Sequence, residues 1–565
     1  MKPSSPRIQS TQELRAKLFG EDASLQESND SGSHPAVLRD EISSSQPHER
    51  LDLTEQHSPS SESSPEVVHQ SDPQDQAPAD KHALGLVVVP PPLLRHLPPS
   101  IEPFMSQDGT VYIGDPSANN ATALRVGSRE ADAVITAAAY AQQVSLRRVE
   151  LTELNEALRT WAVGKGERKN VWYRVAPIQP LGIEIDLGDA QRGRVRIAAG
   201  EVTEIPHGSD EIFYRTSSMR AIVFPAAVGH LDALKKYVNL HVTNYPLFIA
   251  WLSYVLAHPK VSTTKYPILV LQGGQGSGKT SLCHNIILRL IDPSAIGVQR
   301  MPANEKDLAI AVQHAHVVAF DNVRGFKSTI SDLFCIVSTG GQVISRQLYT
   351  DAEKSVLNLH GALVLNGIHG LVNQSDLAQR CLTLQLLPIP DEKRQSDADI
   401  MRMLEQDLPA IQRGLFDLIA AIFQHLPTAK VEKTERMIDF VRWLAAMEAA
   451  QGVPTGVFQR EYSELLQQGQ LESLLDNLLA SSVLDFADAQ EDGEWHGTST
   501  ALLELLTQRL PHSATRSREW PTNPIALSKR LVGLQASLLT QGVRIEITRS
   551  KHRIITITKQ GGRDE

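Results

Sequence analysis

The sequence predicts an α/β protein: a parallel sheet between helices at its centre, a strand-rich α+β domain before it, then a helical segment and a C-terminal winged-helix-like domain. Three observations carry this reading. Between residues 231 and 392, short apolar runs ending in glycine or a polar residue alternate with segments of helical period, as in a core of parallel strands and helices. Residues 84–230 hold short alternating runs separated by polar turns. From about 396 to 470 apolar residues recur at helical spacing, and residues 474–565 read as two or three helices and a terminal hairpin.

The first 83 residues are rich in Ser, Pro, Gln and acids, with Phe19 as their only aromatic ring of the Phe, Tyr or Trp type. A segment with so little to bury is expected to be disordered. It carries seven basic and fifteen acidic side chains, a net −8 of the chain's −10. The acidic balance therefore describes a tail and does not argue against nucleic acid elsewhere. Ser10 and Glu13 make a capping-box pattern before LRAKLF, closed by Gly20: either a docking peptide for a protein partner or chance in a helix too short to stand alone.

Composition excludes several classes. Cys283, Cys335 and Cys381 lie far apart with no CxxC spacing, which fits a reducing compartment and excludes a disulfide scaffold or zinc ribbon. MKPSSPRIQS has no apolar signal-type region. LFIAWLSYVLA (247–257) is too short to span a bilayer and reads as a buried helix opened by Asn244, with Pro246 in its first turn. The expectation is a soluble cytoplasmic protein with no membrane partner.

After the proline-rich VVVPPPLLRHLPP (87–99), the segments VYIG, VWYRVAP, GIEIDLGD, RVRIAAG and EIFYRT read as strands, with one helix near 131–162. Glu184 and Asp186 fall on one face of a strand, as in two-metal sites, but no nearby His or third carboxylate completes a set. Polar alternation on an exposed face is the expected explanation.

The chemistry concentrates at GGQGSGKTS, residues 273–281. Gly273 and Gly278 bracket four residues and precede Lys279 and Thr280, the spacing of a phosphate-binding loop. Gly273, Gly274, Gln275, Gly276, Ser277 and Gly278 would turn backbone N–H groups around phosphates. Lys279 would reach the β- and γ-phosphates, Thr280 would ligate Mg²⁺, and Ser281 continues the cradle. The context agrees: YPILVLQ (266–272) reads as a buried strand before the loop and SLCHNIILRLI (281–291) as a helix after it. ATP and Mg²⁺ are the expected cofactors.

A second acidic element is then required. HVVAFDN (316–322) is an apolar strand ending in Asp321, placed to hold Mg²⁺. GALVLN (361–366) ends in Asn366, which can orient an attacking water or sense the γ-phosphate. DLAQRCLTLQL (376–386) sets Arg380 before another apolar run, where an arginine can stabilise transition-state charge across a subunit boundary.

The ordered set GGQGSGKT, HVVAFDN, STGGQVISRQLYTD, ALVLNGIHGL, DLAQRCLTL resembles the AAA+ ATPase module of superfamily 3 replicative helicases of viruses, plasmids and mobile elements, especially the helicase half of phage-type primase–helicases. The resemblance covers residues 240–392 and misses the tail. It implies an AAA+ core, a hexameric ring with ATP at subunit interfaces, and DNA in the pore. It matches Lys279 and Thr280 to the Walker A residues, Asp321 to the Walker B acid, Asn366 to the sensor and Arg380 to an arginine finger. One departure matters: Asn322 stands where such enzymes commonly carry a water-polarising acid, and an amide cannot accept that proton.

Two stretches are candidates for nucleic acid. VISRQLYTDAEKSVLNL (343–359) reads as a hairpin, and in the resembled helicases a hairpin here enters the pore. Arg346, Tyr349 and Lys354 are the residues that would grip a strand by charge and stacking; the alternative is an ordinary solvated hairpin. At the C-terminus, Asn523-Pro524 opens a helix with Lys529 and Arg530 near its start, while Arg549, Lys551 and Arg553 surround the turn of the last hairpin. A winged helix uses such a helix and wing on DNA or on protein. The function expected is an ATP-driven DNA helicase or translocase in replication of a mobile element. Its rivals are a DNA-binding or assembly switch with weak hydrolysis, and a metabolite kinase. An AAA+ sheet inserts a strand between those of Gly273 and Asp321, which would exclude the kinase.

Overall fold

The structure is a computed structural model that describes residues 97–559 apart from 99–100, 116–117, 119, 347–353, 369, 371, 373, 491–492, 518 and 550–552. The acidic segment 1–83 and the Ser10–Glu13 pattern lie outside the described residues. The chain is a mixed α/β protein with a parallel sheet between helices.

Two sheets form the first part. One joins β1 (Pro103–Ser106), β2 (Val111–Gly114), β3 (Thr122–Arg125), β4 (Arg168–Lys169) and β9 (Phe213–Tyr214) in the order β4-β1-β2-β3-β9. The other is an antiparallel meander of β5 (Val175–Ile178), β6 (Gly182–Asp186), β7 (Arg194–Ala198) and β8 (Glu201–Ile205). The expected single helix near 131–162 is two, Arg129–Ala141 and Arg148–Lys165. Gln143 adopts φ 62° between them, a left-handed turn no helix continues through, and Arg147 with Glu150 caps the second helix.

Glu184 and Asp186 are not on an exposed face; both are buried. Antiparallel register sets Glu184 opposite Arg196 and Asp186 opposite Arg194 on β7. Glu184 pairs with Arg194 at 3.2 Å and Arg196 at 2.9 Å, and Asp186 pairs with Arg215 at 2.5 Å. Alternation on the neighbouring strand supplies the counter-charges that burial demands. Burial pushes the Asp186 carboxyl up, but Arg215 outweighs it and holds the group below its ordinary range. A further buried pair, Arg174 with Asp292 at 3.0 Å, ties this region to the end of the helical stretch that follows the loop at Gly273–Thr280.

The central sheet contains β10 (Ile268–Gln272), β11 (Val317–Val323), β14 (Ala362–Gly367) and β15 (Cys381–Gln385), all parallel, in the order β11-β14-β10-β15. Its strands read as unbroken apolar runs because both faces are covered. Leu269, Leu271, Val317, Ala319, Val364, Leu382 and Leu384 enter one apolar cluster, whereas Ile268, Val270, Val318, Phe320, Leu363, Leu365 and Cys381 enter the other. The first cluster also takes in Val175–Ile197 residues of the meander, the buried helix Asn244–Ala257, and the helices Asp397–His425, Ile438–Gln451 and Val457–Asp476. The meander and the parallel sheet thus share one core.

Between β11 and β14, β12 (Gly341–Arg346) and β13 (Lys354–Leu359) form an antiparallel hairpin. The C-terminal part runs helix Leu478–Asp488, β16 (Glu494–Thr498), helix Ser499–Gln508, short helix His512–Thr515, helix Pro524–Leu539, β17 (Val543–Arg549) and β18 (Arg553–Lys559). The expected hairpin is therefore one side of a three-stranded sheet, β16-β18-β17. EWHGT carries little strand signal because only Trp495 in it is strongly apolar. Among the described residues no helix is long and apolar enough to cross a membrane.

Candidate functional site

The loop after β10 leaves the C-terminal end of the parallel sheet, where open α/β sheets gather their ligand groups. Gly276 and Gly278 adopt φ 75° and 86°, conformations that glycine supplies without steric cost, and the chain enters its helix at Lys279. That helix widens to a π-helical stretch over Leu282–Ile287, a local form frequent near functional sites.

Lys279 folds back over the loop. Its Nζ donates to the carbonyls of Gly273 and Gly274, each at 2.8 Å, and to Ser277 Oγ at 3.3 Å. Burial lowers the ammonium below its ordinary value, while Asp321 opposes that shift. Ser277 is buried; Gly274, Gln275 and Gly276 are exposed, and Ser281 accepts from Asn285 at 3.0 Å.

Three side chains from three elements meet beside the loop. Thr280 Oγ1 donates to Asp321 Oδ2 at 2.9 Å, and Asn366 Nδ2 donates to Asp321 Oδ1 at 2.6 Å. Asn366 Nδ2 also lies 3.4 Å from Thr280 Oγ1. Parallel register produces the meeting: Leu271 pairs with Asn366 and Phe320 with Leu365, so the strands end at one level. The register of β11 against β14 shifts between Phe320 and Val323, a bulge that re-aims Asp321. Asn322 occupies it at φ 53°, a left-handed position asparagine tolerates better than most residues. Its backbone N–H donates to Asp321 Oδ1 at 2.7 Å and the residue is exposed.

The donor set suits a magnesium–triphosphate. A hydroxyl and a carboxylate stand together next to glycine-rich backbone, the pairing used for Mg²⁺ in phosphate-loop proteins. Asn366 Oδ1 is buried with no partner, an unsatisfied acceptor on the side chain whose amide reaches Asp321. Mg²⁺, when bound, would offset phosphate charge. Thr280 and Asp321 would hold it, directly or through water, Lys279 would exchange its carbonyl partners for phosphate oxygens, and Asn366 would orient a water or a phosphate oxygen.

Arg380 stands elsewhere. It precedes Cys381, whose partner across the sheet is Ile268 at the opposite end of β10 from the loop, so the length of the strand, roughly 15 Å, separates them. Its side chain is 11% exposed and bonded to Asp376, by Nη1 to Oδ2 and to the carbonyl, both 3.0 Å. Arg436 reaches the same carboxylate at 2.6 Å. Arg380 Nε is buried without a partner.

The hairpin brings Arg346 opposite Lys354 in register, at the end where the turn begins; Tyr349 lies outside the described residues. Likewise Arg549 pairs in register with Arg553, and Lys551 lies outside the described residues. Lys529 and Arg530 are exposed on helix Pro524–Leu539, and Arg530 donates to the Glu519 carbonyl. Exposed Ile525, Val532 and Leu539, spaced seven apart, share the Lys529 face. That face is more apolar than phosphate contact requires.

Two contributors to the site were not legible in the motifs. Gln299 clamps β11 from its outer edge, its N–H donating to Ala319 O at 2.8 Å and its O accepting from Asp321 N at 2.9 Å. A single bridge leaves no alternating run to detect. Asn239, far upstream, donates to Ser277 O at 3.5 Å, and no local pattern marks it.

No curated protein sequence matches the chain. Among solved structures, it is similar to two apo forms of the NrS-1 C-terminal region. One shares 11% identity over 82% of this chain and 96% of that one, with a TM-score of 0.32. The other shares 10% over 82% and 97%, with a TM-score of 0.35. The JCV helicase, solved with a bound small molecule, shares 18% identity over 41% of this chain and 67% of that one, with a TM-score of 0.18. Residues 231–466 match the family described as the actinomycete integrative conjugative element replication protein, and residues 479–564 match that protein's C-terminal domain, so across both stretches the chain is similar to a replication protein of a mobile element.

Proposed function

We propose that this chain is an ATP-binding AAA+ protein that translocates on or unwinds DNA during replication of a mobile element, working as a homo-oligomeric ring. The observation that carries the reading is the position of β14. It lies between β10 and β11, so Asn366 reaches Asp321 and Thr280 together. That inserted strand supports an AAA+ core and speaks against a metabolite kinase. The match to a mobile-element replication protein over 231–466 supports the biological setting. The order helix–strand–helix–short helix–helix–strand–strand after residue 477, with β16 paired to β18, supports a winged-helix unit.

One observation favours a second reading. Asn322 is exposed in its bulge and offers no carboxylate. A protein built this way serves equally as a switch that binds DNA with ATP and hydrolyses slowly. Steady-state ATPase measurement with and without single-stranded DNA separates the two. A helicase gives DNA-stimulated turnover with Asn322 as it stands, and Lys354→Ala removes most of the stimulation while sparing the basal rate. A switch gives ATP-dependent DNA binding with negligible turnover until Asn322→Asp introduces an acid. Indifference of ATP and DNA to one another in both assays would discard both readings.

A further inference from the structure

The chain that leaves β15 turns back along the phosphate loop. Leu386 N–H donates to Gln272 O at 2.7 Å, and Leu387 N–H donates to Asn239 O at 3.0 Å, which fixes the path. The loop's glycines record how close that path comes. A Cβ on Gly273 would stand 3.0 Å from Leu386 O, and one on Gly278 would stand 3.5 Å from Ile389 Cδ1. On Gly276 it would stand 3.4 Å from Arg394 Nη2, with Cζ and Nη1 both at 3.9 Å. The guanidinium of Arg394 therefore lies against the middle of the loop, beside the residue whose φ of 75° needs glycine.

Its present partner is weak. Arg394 Nε pairs with Asp391 Oδ1 at 3.1 Å, three residues back, and the two side chains are 57% and 89% exposed. Exposed pairs of this spacing contribute little, so the exchange of Asp391 for a better anion costs little. A di- or triphosphate on this loop brings several negative charges, and Lys279 offers a single point charge against them. Guanidinium offers a planar fork of donors matched to phosphate oxygens.

We propose that Arg394 is a phosphate ligand of the nucleotide held on Gly273–Thr280, supplied by the same chain and exchanged from Asp391 onto the phosphates when nucleotide binds. This rests on the reading of that loop as a nucleotide site. It also separates two arginines of one strand's flanks. Arg380 precedes β15 at the end remote from the loop, whereas Arg394 follows it at the loop itself.

The test titrates fluorescent ADP and ATP analogues, with Mg²⁺, into the full chain and four variants. Arg394→Ala is expected to weaken both nucleotides about 10- to 100-fold, the worth of a charged hydrogen bond, without lowering the melting temperature of the nucleotide-free protein. Arg394→Lys should recover part of that loss, since a point charge replaces the fork. Asp391→Ala should bind as well as the parent or better, because a competing anion is gone. Parent-like affinity in Arg394→Ala, with binding still abolished by Lys279→Ala, overturns the Arg394 assignment and leaves the loop reading intact. Equal losses in Asp391→Ala and Arg394→Ala also overturn it, because the pair would then only hold the segment in place. Absence of binding by the parent protein overturns both readings.

Discussion

Replacing Asn366 by alanine tests the site where its geometry is most specific. Asn366 is 1% exposed and its Nδ2 donates to Asp321 Oδ1 at 2.6 Å, a hydrogen bond to a charged group worth about 1.5–3 kcal/mol. Asp321 is only half-buried and keeps Thr280 Oγ1 and the Asn322 N–H, so solvent recovers part of the loss. The stability cost should fall near the lower end, about 1–2 kcal/mol, which lowers the melting temperature by roughly 2–8 °C for a core of this size. The functional loss should be larger. If Asn366 positions a water or a phosphate oxygen in the transition state, deleting it costs about 10²–10³ in turnover, as loss of one preorganised donor does elsewhere. Nucleotide affinity should stay within about threefold, because the cradle of Gly273–Thr280 is untouched. Asn366→Asp places two carboxylates within contact distance and should lose turnover as well, with like-charge repulsion in place of a missing donor. Steady-state ATPase rates and analogue binding, with thermal melts, separate these effects. Unchanged turnover in a folded Asn366→Ala protein, or a fall in affinity equal to the fall in turnover, would refute the role.

Lys279→Ala should abolish nucleotide binding with little change in melting temperature, since Lys279 holds loop carbonyls and fills no core space; retained affinity would discard the loop reading. Because Arg380 lies at the far end of the sheet from its own loop, mixed assemblies of Arg380→Ala and Lys279→Ala subunits should recover part of the ATPase activity. Co-assembly without recovery would place Arg380 as a structural partner of Asp376. Burial lowers the imidazoles of His258, His316 and His360 to about 4, against 6.5 when unfolded. The unfolded chain then binds more protons between those values, so stability is complete above pH 6.5 and falls as the pH drops towards 4. The slope should reach about 4 kcal/mol per pH unit at most, three protons at about 1.4 each. Denaturant melts of the parent and His316→Gln across this range check the sign; a flat profile in both would contradict it.

Local pattern carried much of the fold. The apolar runs YPILVLQ, HVVAFDN and GALVLN coincide with β10, β11 and β14 because doubly covered parallel strands must be apolar throughout, and glycine spacing marks the turn after β10. The helix over 247–257 was equally plain, since a segment apolar on every side can only be buried. Other features depended on partners distant in the chain. Glu184 and Asp186 looked solvent-facing until β7 folded beside them with Arg194 and Arg196, and a carboxylate is buried or exposed according to what lies across the sheet. β16 is a strand and Gln299 an isolated bridge by virtue of their neighbours, with too few apolar residues to announce themselves. Asp321 and Asn366 are 45 positions apart, and only the parallel register of β11 and β14 sets them 2.6 Å from each other. Motifs name the groups a site needs; their distances follow from strand order, which no window of sequence contains.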